Sequence, residues 1–191
     1  PSSRVFLFFY CALMDIENTK LPPNSIDSEQ SVLGGLLLHN DSWDKVVNIL
    51  STNDFYQASH RIIYEAIVTL LEHDKPADIL TVKEQVIKTH DEESIGGFAY
   101  LAQIADNTPT VSNIETYANH VRELSVYRQL IKIGREITDT AFQPKDIEVN
   151  ELLDLSEKKI FEIAEQVSRN KKEITNIKDI IKDVVNKVHE M

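Results

Sequence analysis

The chain has 191 residues, 42% of them hydrophobic, and its 31 Asp and Glu residues outnumber its 20 Lys and Arg residues, which gives a net charge of -11. A chain with this charge balance lacks the basic surface that most nucleic-acid-binding domains present to phosphates, so we expect no strong direct binding to nucleic acid. The single cysteine, Cys11, excludes an internal disulfide and a cysteine-ligated zinc site, and such cysteine usage is typical of a reducing, cytoplasmic setting.

The N-terminal twenty residues differ from the rest of the chain. An apolar run covers residues 5–13, which is shorter than the ~20 residues that a membrane-spanning helix requires, so no membrane is expected as a partner. Only Arg4 supplies positive charge before the run, and no small-residue cleavage site follows it, which disfavours a signal peptide. We predict that residues 1–20 are a non-native or disordered extension, and Met14 fits a start codon. Docking of the run as a short helix or strand is the alternative.

Residues 21–110 are predicted to form a compact helical bundle. Its first helix begins after Ser25, a suitable N-cap, and carries the negative charges of Asp27 and Glu29 in its first turn. Two adjacent glycines, Gly34 and Gly35, interrupt this helix, although each costs roughly 1 kcal/mol relative to alanine. We interpret them as positions where another helix approaches the backbone closely.

Further helices are predicted along the bundle from apolar residues at helical spacing. The sequence "TVKE" at 81–84 predicts a capping box that opens one of them, and a second glycine pair at 96 and 97 predicts a turn before another. The segment "FYQASHR" at 55–61 contains His60 beside aromatic and basic residues. We interpret it as anchors around a helix start, because no nucleophile, base and orienting group can be assembled from its neighbours.

Two long helices follow, over residues 113–142 and about 147–168, separated by "QPKD" at 143–146. A short connection between long helices predicts an antiparallel hairpin, which defines a second segment over residues 111–168. The apolar residues of the hairpin exceed what one helix pair can bury, so we expect the hairpin to be an association surface. They form three rows: Ile114, Tyr117, Val121, Leu124 and Ile131; Val126, Leu130, Ile133, Ile137 and Ala141; and Leu153, Ile160, Ile163 and Val167.

Residues 169–191 are predicted to be a polar linker followed by an amphipathic linker helix. Its apolar residues recur at spacings of 4, 3 and 4, and they are Ile177, Ile181, Val184 and Val188. We expect this stripe to dock on another subunit or on a further domain. The predicted fold class is therefore all-α: a compact N-terminal bundle, a long antiparallel hairpin and a tethered linker helix.

The motifs that carry chemistry are missing from this sequence. Its five glycines cannot supply a phosphate-binding loop or a dinucleotide fingerprint, so we expect no nucleotide cofactor here. No acidic residue lies three or four positions before any of the six histidines, which disfavours a metal site built on one helix face. We expect that these residues perform no catalysis.

Five stretches together resemble one family. They begin at residues 21, 54, 76, 96 and 127 and include "LPPNSIDSEQSVLGG", "DFYQASHRIIYEAI" and "GGFAYLAQIADN". In order and spacing they resemble the N-terminal part of DnaB-type bacterial replicative DNA helicases. The resemblance implies an N-terminal domain without the RecA-like motor domain, which in the family binds ATP and Mg²⁺ and drives 5′–3′ unwinding. It also implies a bacterial, cytoplasmic protein.

The resemblance further implies partners. Family hairpins pair between subunits, as a dimer or as a trimer of dimers that forms a collar, and the linker helix packs on the neighbouring motor domain. The oligomer-interface candidates are Tyr117, Val121, Leu124, Val126, Leu130, Ile133, Ile160, Ile163 and Val167. A helicase loader is a further partner of the family.

The family's collar also recruits the C-terminal domain of primase. The corresponding positions here are Tyr100, Arg128, Ile131 and Ile137. We expect Tyr100 and Arg128 to be exposed anchors, whereas each isoleucine is equally consistent with a place in the hairpin's own core. A free-standing helical adaptor or regulator of a helicase is the alternative function, and the sequence downstream of residue 191 distinguishes the two.

Overall fold

The computed structural model describes residues 21–108, 113–144 and 147–167, and these ranges contain helices and turns but no strand. The all-α prediction is confirmed. The helices are α1 (Ile26–Leu38), α2 (Trp43–Val46), α3 (Ala58–Leu71), α4 (Ile79–Ile87), α5 (Gly97–Asp106), α6 (Ile114–Phe142) and α7 (residues 149–167). Short 3₁₀ turns cover Asn40–Ser42, Thr52–Asp54 and Glu92–Ile95. The predicted N-terminal extension and linker helix, with Ile177, Ile181, Val184 and Val188, lie outside the described residues.

Helix α1 is the centre of the bundle, which we call the head. It packs against α3, α5 and α6, and its Val32, Leu33 and Leu36 side chains are fully buried. The predicted cap is confirmed, because the Ser28 N–H donates to the Ser25 hydroxyl oxygen at 3.3 Å. A central helix that contacts three others explains why its sequence is apolar on more than one side.

The glycine pair of α1 is required by close packing. A β-carbon on Gly34 would lie 2.6 Å from the Ile104 carbonyl oxygen and 1.9 Å from Thr108 Oγ1, and one on Gly35 would lie 2.8 Å from Ile114 Cδ1. The end of α5 and the start of α6 therefore both approach the α1 backbone. The second pair also has the predicted role: Gly96 and Gly97 have φ angles of 79° and 76°, which favour glycine, at the turn into α5.

The predicted capping box at 81–84 is wrong in its register. Helix α4 begins three residues earlier, and Asp78 is its N-cap: the Asp78 carboxylate accepts from the Leu80 and Thr81 N–H groups at 2.8 and 2.9 Å. The Thr81 hydroxyl oxygen in turn accepts from the Asp78 N–H. An aspartate is a stronger acceptor for these amides than a threonine hydroxyl, so the helix starts at the aspartate.

Helix α6 belongs to two parts of the molecule. Ile114, Ala118 and Val121 on its first half lie in the buried core of the head, so the packed core continues past the boundary expected at residue 110. Its second half runs beside α7, where Lys159 Nζ lies 2.6 Å from Glu136 Oε2. Glu136 contacts Lys159, whereas the earlier Gln129 lines one groove with the later Gln166, so the two helices run in opposite directions, as the predicted hairpin requires.

Candidate protein-interaction surface

The hairpin exposes a row of large apolar side chains. On α7 they recur at spacings of 4, 7 and 7, which places them on one side of the helix. Their exposed fractions are 75% for Val149, 62% for Leu153, 49% for Ile160 and 45% for Val167. Leu130 of α6 is 42% exposed. Successive residues of a helix are rotated by about 100°, and this rotation places Leu130 on the same side of the α6–α7 pair as the row on α7. We call these five residues the hairpin face.

Other predicted interface residues are partly or fully covered within the chain. Ile137 lines a small gap in the seam together with Leu152 and Leu155, and Ile163 is buried. Val126 and Ile133 are half-buried. The Lys159 ammonium bonded to Glu136 lowers the pKa of that carboxyl below its usual range. Ile137 and the Glu136–Lys159 pair therefore help to hold the hairpin together within one chain.

Three further candidates belong to the head or its margin. Val121 is 1% exposed in the head core, Tyr117 packs against the same core, and Leu124 is half-buried. A side chain that is fully covered inside one subunit, as Val121 is, has no surface to offer a second. The structure therefore brings together Leu130, Ile160 and Val167 from the predicted interface set on the exposed face.

Tyr100 is part of a polar network inside the head. His60, fully buried, lies with Nδ1 2.6 Å from Glu29 Oε2 and with Nε2 2.8 Å from the Tyr100 hydroxyl oxygen. Gln30 donates to the same hydroxyl at 3.1 Å. The rings of His60 and Tyr100 are stacked, with centroids 5.9 Å apart. The Tyr100 side chain is thus committed to α1 and α3 rather than free at the surface.

Glu29 is the buried carboxylate at the centre of this network. It is 1% exposed, and its carboxylate also accepts from the Tyr56 N–H at 2.6 Å and from the Gln57 N–H at 3.4 Å. The sequence pattern correctly placed Glu29 in the first turn of the helix, but it did not indicate this buried role. A buried carboxylate is tolerated only with such partners, so the network fixes the start of α3 against α1.

Arg128 connects the hairpin to the head. It donates to the Pro23 carbonyl oxygen at 2.8 Å and to the Asp54 carbonyl oxygen, and it lies over the Tyr56 ring at 5.7 Å. Burial lowers the pKa of Arg128, while the nearby Glu29 and Asp54 carboxylates oppose that shift. The expectation that Tyr100 and Arg128 are exposed anchors is therefore wrong, because both are half-buried and occupied by partners within the chain.

A groove separates the head from the hairpin on the side opposite the hairpin face. It has a volume of about 680 Å³ and is lined by residues 47–51, 53 and 54 with Arg122, Gln129 and Gln166. Arg122 Nη1 is paired with the buried Asp54 carboxylate at 2.6 Å. Since this arginine already has a carboxylate partner, the described residues that line the groove offer no free cation for an anionic ligand.

The part of the chain that the structure describes contains no group of His, Cys, Asp or Glu residues arranged to hold a metal ion. Within the same ranges, no helix combines the length and the apolar character needed to cross a membrane. The buried His60 has its two ring nitrogens occupied by Glu29 and Tyr100. What this arrangement offers is an apolar surface for other proteins.

Comparison with solved structures supports the same fold. The structure of the N-terminal domain of DnaB helicase from Mycobacterium tuberculosis superposes with a TM-score of 0.72 at 32% identity, covering 74% of this chain and 99% of that one. A second structure, of a DnaB-like replicative helicase and its interactions with primase, gives a TM-score of 0.55 at 23% identity, over 68% of this chain and 31% of that one. The second likeness bears on the fold alone.

Sequence relatives agree with the structural ones. The replicative DNA helicase DnaB of Pasteurella multocida is 37% identical over 91% of this chain, and the replicative DNA helicase DnaC of Bacillus subtilis is 35% identical over 94%. The chain spans only 37% and 39% of the lengths of these two relatives. A model of the DnaB-like helicase N-terminal domain matches residues 21–123, which is more than half of the sequence. The chain belongs to the family of DnaB-like helicase N-terminal domains.

Proposed function

We propose that this chain is the collar domain of a replicative DNA helicase and that it joins subunits through its hairpin. The observation that carries this proposal is the hairpin face, whose exposed apolar side chains recur along one side of α7 and continue onto α6. Exposed apolar rows of this kind are typical of protein–protein interfaces. In this proposal the ATP-driven motor, with its Mg²⁺, belongs to a separate domain, the protein acts in the bacterial cytoplasm, and the segment that contains Ile177 and Ile181 docks on a neighbouring motor.

Self-association through the hairpin face is tested by substitution. Light scattering of the chain is expected to give a mass that rises from monomer to dimer or higher with concentration. The double variant Ile160→Asp/Val167→Asp is expected to remain monomeric, because it places two charges in the apolar contact. Phe161→Asp is the matched control, since Phe161 is 60% exposed on the same helix but points away from the hairpin face. Equal masses for the double variant and the unsubstituted chain would contradict the proposal.

We further propose that the collar recruits primase through residues outside the hairpin face. One of the structural relatives is described by its interactions with primase, and the resemblance assigns that role to four positions. Of these, Ile131 is 40% exposed and lies off the hairpin face, so it stays accessible when two hairpins pair.

Ile131→Asp is expected to weaken binding of the C-terminal domain of the matching primase by about tenfold or more, measured by calorimetry, because it places a charge in an apolar contact. The mass of the collar should not change. Unaltered primase binding would exclude Ile131 from the contact, and a change in mass would assign it to subunit pairing instead.

A further inference from the structure

A second group of exposed apolar side chains lies on α4 and α5, helices that are not part of the hairpin. Leu80, Ile87 and Phe98 are 64%, 51% and 41% exposed. Leu80 and Ile87 are seven residues apart on α4, so they lie on one side of the helix about two turns from each other. Lys83 lies between them in sequence, and its Nζ is 5.5 Å from the centroid of the Phe98 ring. We call these three apolar residues the α4–α5 patch.

Exposed carboxylates lie on the segments that carry this patch. Within the part of the chain that the structure describes, the cation beside Phe98 is Lys83, and it already has an ion-pair partner, because its Nζ lies 3.1 Å from Glu92 Oε1. Glu84, Asp91 and Glu93 are exposed, and none of them forms an ion pair with the residues that the structure describes. Lys88, directly after α4, is a second cation near the patch in sequence, and its Nζ donates to Gln85 Oε1. The rim of the patch is therefore acidic overall.

We infer that the α4–α5 patch is a docking site for an amphipathic helix of another protein, with apolar residues along one side and lysine or arginine on its flanks. The two-turn separation of Leu80 and Ile87 matches the spacing of apolar anchors on such a helix. Basic flanking residues would complement the acidic rim, which carries three carboxylates without ion-pair partners. A second copy of this chain is a poor occupant, because pairing two identical patches would oppose their acidic rims.

This inference goes beyond the collar function, because none of the three residues belongs to the hairpin face. The patch is on the head, so subunit pairing through the hairpin does not require it. A partner held there would be attached to the helicase collar independently of how the hairpins associate.

The test uses two fluorescein-labelled helical peptides that share one leucine stripe, with lysine on the flanks of one and glutamate on the flanks of the other. Fluorescence anisotropy with the full chain is expected to show binding of the lysine peptide and little binding of the glutamate peptide. Leu80→Ser/Ile87→Ser should weaken binding of the lysine peptide at least about tenfold. Glu84→Gln/Glu93→Gln should weaken it less and reduce its dependence on salt.

Leu38→Ser is the matched control, because Leu38 is 50% exposed on α1 and lies outside the patch. It should leave binding unchanged, and circular dichroism should show the same helicity for every variant. The inference is overturned if Leu80→Ser/Ile87→Ser binds the lysine peptide as tightly as the unsubstituted chain, or if Leu38→Ser causes an equal loss. Equal binding of the two peptides would also overturn it. So would a lower mass of Leu80→Ser/Ile87→Ser in light scattering, because a second copy would then be the occupant.

Discussion

At the scale of single residues, two glycines in helices have opposite surroundings. Gly34 of α1 faces the Ile104 carbonyl oxygen, which cannot move away as a side chain could, whereas a β-carbon on Gly134 of α6 would meet nothing within 4 Å. The first glycine permits close packing of α1 and α5, and the second only lowers the helix propensity of α6.

Gly34→Ala is expected to destabilise the chain, because overpacking costs ~1–3 kcal/mol and outweighs a helix-propensity gain of about 1 kcal/mol. Gly134→Ala should instead stabilise the chain by roughly 0.5–1 kcal/mol. Urea denaturation followed by circular dichroism measures both. Equal effects of the two substitutions would show that contact with α5 does not explain the glycine in α1.

The role of Gly34 could be predicted from the sequence, but the network around Glu29 could not. A glycine pair inside an apolar helix has few explanations other than close approach. The burial of Glu29, by contrast, depends on His60 and Tyr100, which are 31 and 71 residues further along the chain. One local signal was available: Glu29 precedes Val32, Leu33 and Leu36 at the spacing of a core stripe. Charged residues at such positions are candidates for buried pairing.

At the scale of the element, the start of α4 depends on one carboxylate. The pKa of Asp78 is lowered from 3.8, mainly by the hydrogen bond that the Thr81 N–H donates to its carboxylate. Desolvation of the carboxylate partly opposes this shift. A lowered folded-state pKa means that the ionised form stabilises the fold. That contribution is present above the ordinary pKa of the unfolded chain, and it is lost as the pH falls through the lower folded-state value.

Asp78→Ala is expected to destabilise the chain by about 1 kcal/mol at neutral pH, because two amides of the first turn lose their acceptor. Thermal unfolding is measured from neutral pH to below pH 3.8. The difference in unfolding temperature between the variant and the unsubstituted chain should shrink as the pH falls. Asp78→Asn keeps an acceptor without an ionisable group, so its stability at neutral pH should lie between that of Asp78→Ala and that of the unsubstituted chain. A difference that stays constant with pH would contradict the assigned role.

At the scale of the whole molecule, the head and the hairpin differ in how their helices are covered. The head has a buried apolar core within one chain, although the α4–α5 patch is exposed, whereas α7 has one buried apolar residue, Ile163, among the nineteen that the structure describes. The stability of α7 should therefore depend on what covers the hairpin face.

Amide hydrogen exchange is expected to slow in residues 149–167 as the protein concentration rises, because association covers the hairpin face. Exchange in α1 should not change over the same range, since its core is complete within one chain. Ile160→Asp/Val167→Asp should abolish the concentration dependence, and Phe161→Asp should preserve it. Exchange in 149–167 that is independent of concentration in the unsubstituted chain would contradict pairing through this face.

The extent of α6 also shows why a domain boundary is hard to predict. The hairpin was predicted from helix lengths and the proline-containing break, and those local signals were sufficient. The burial of Ile114 and Val121 in the head depends instead on α1, whose Gly35 makes room for Ile114. Periodicity predicts that a face is apolar, but it does not reveal which neighbour covers that face.

Because α6 is one continuous helix of 29 residues, about 43 Å long, it acts as a lever whose short arm is embedded in the head. Arg128, near the middle, ties this lever to the Pro23 and Asp54 carbonyl oxygens. A tilt imposed on the free arm by a neighbouring subunit must therefore reorient the entire head. In the proposed pairing, the angle at which two hairpins cross determines where each head, and anything attached to it, is presented.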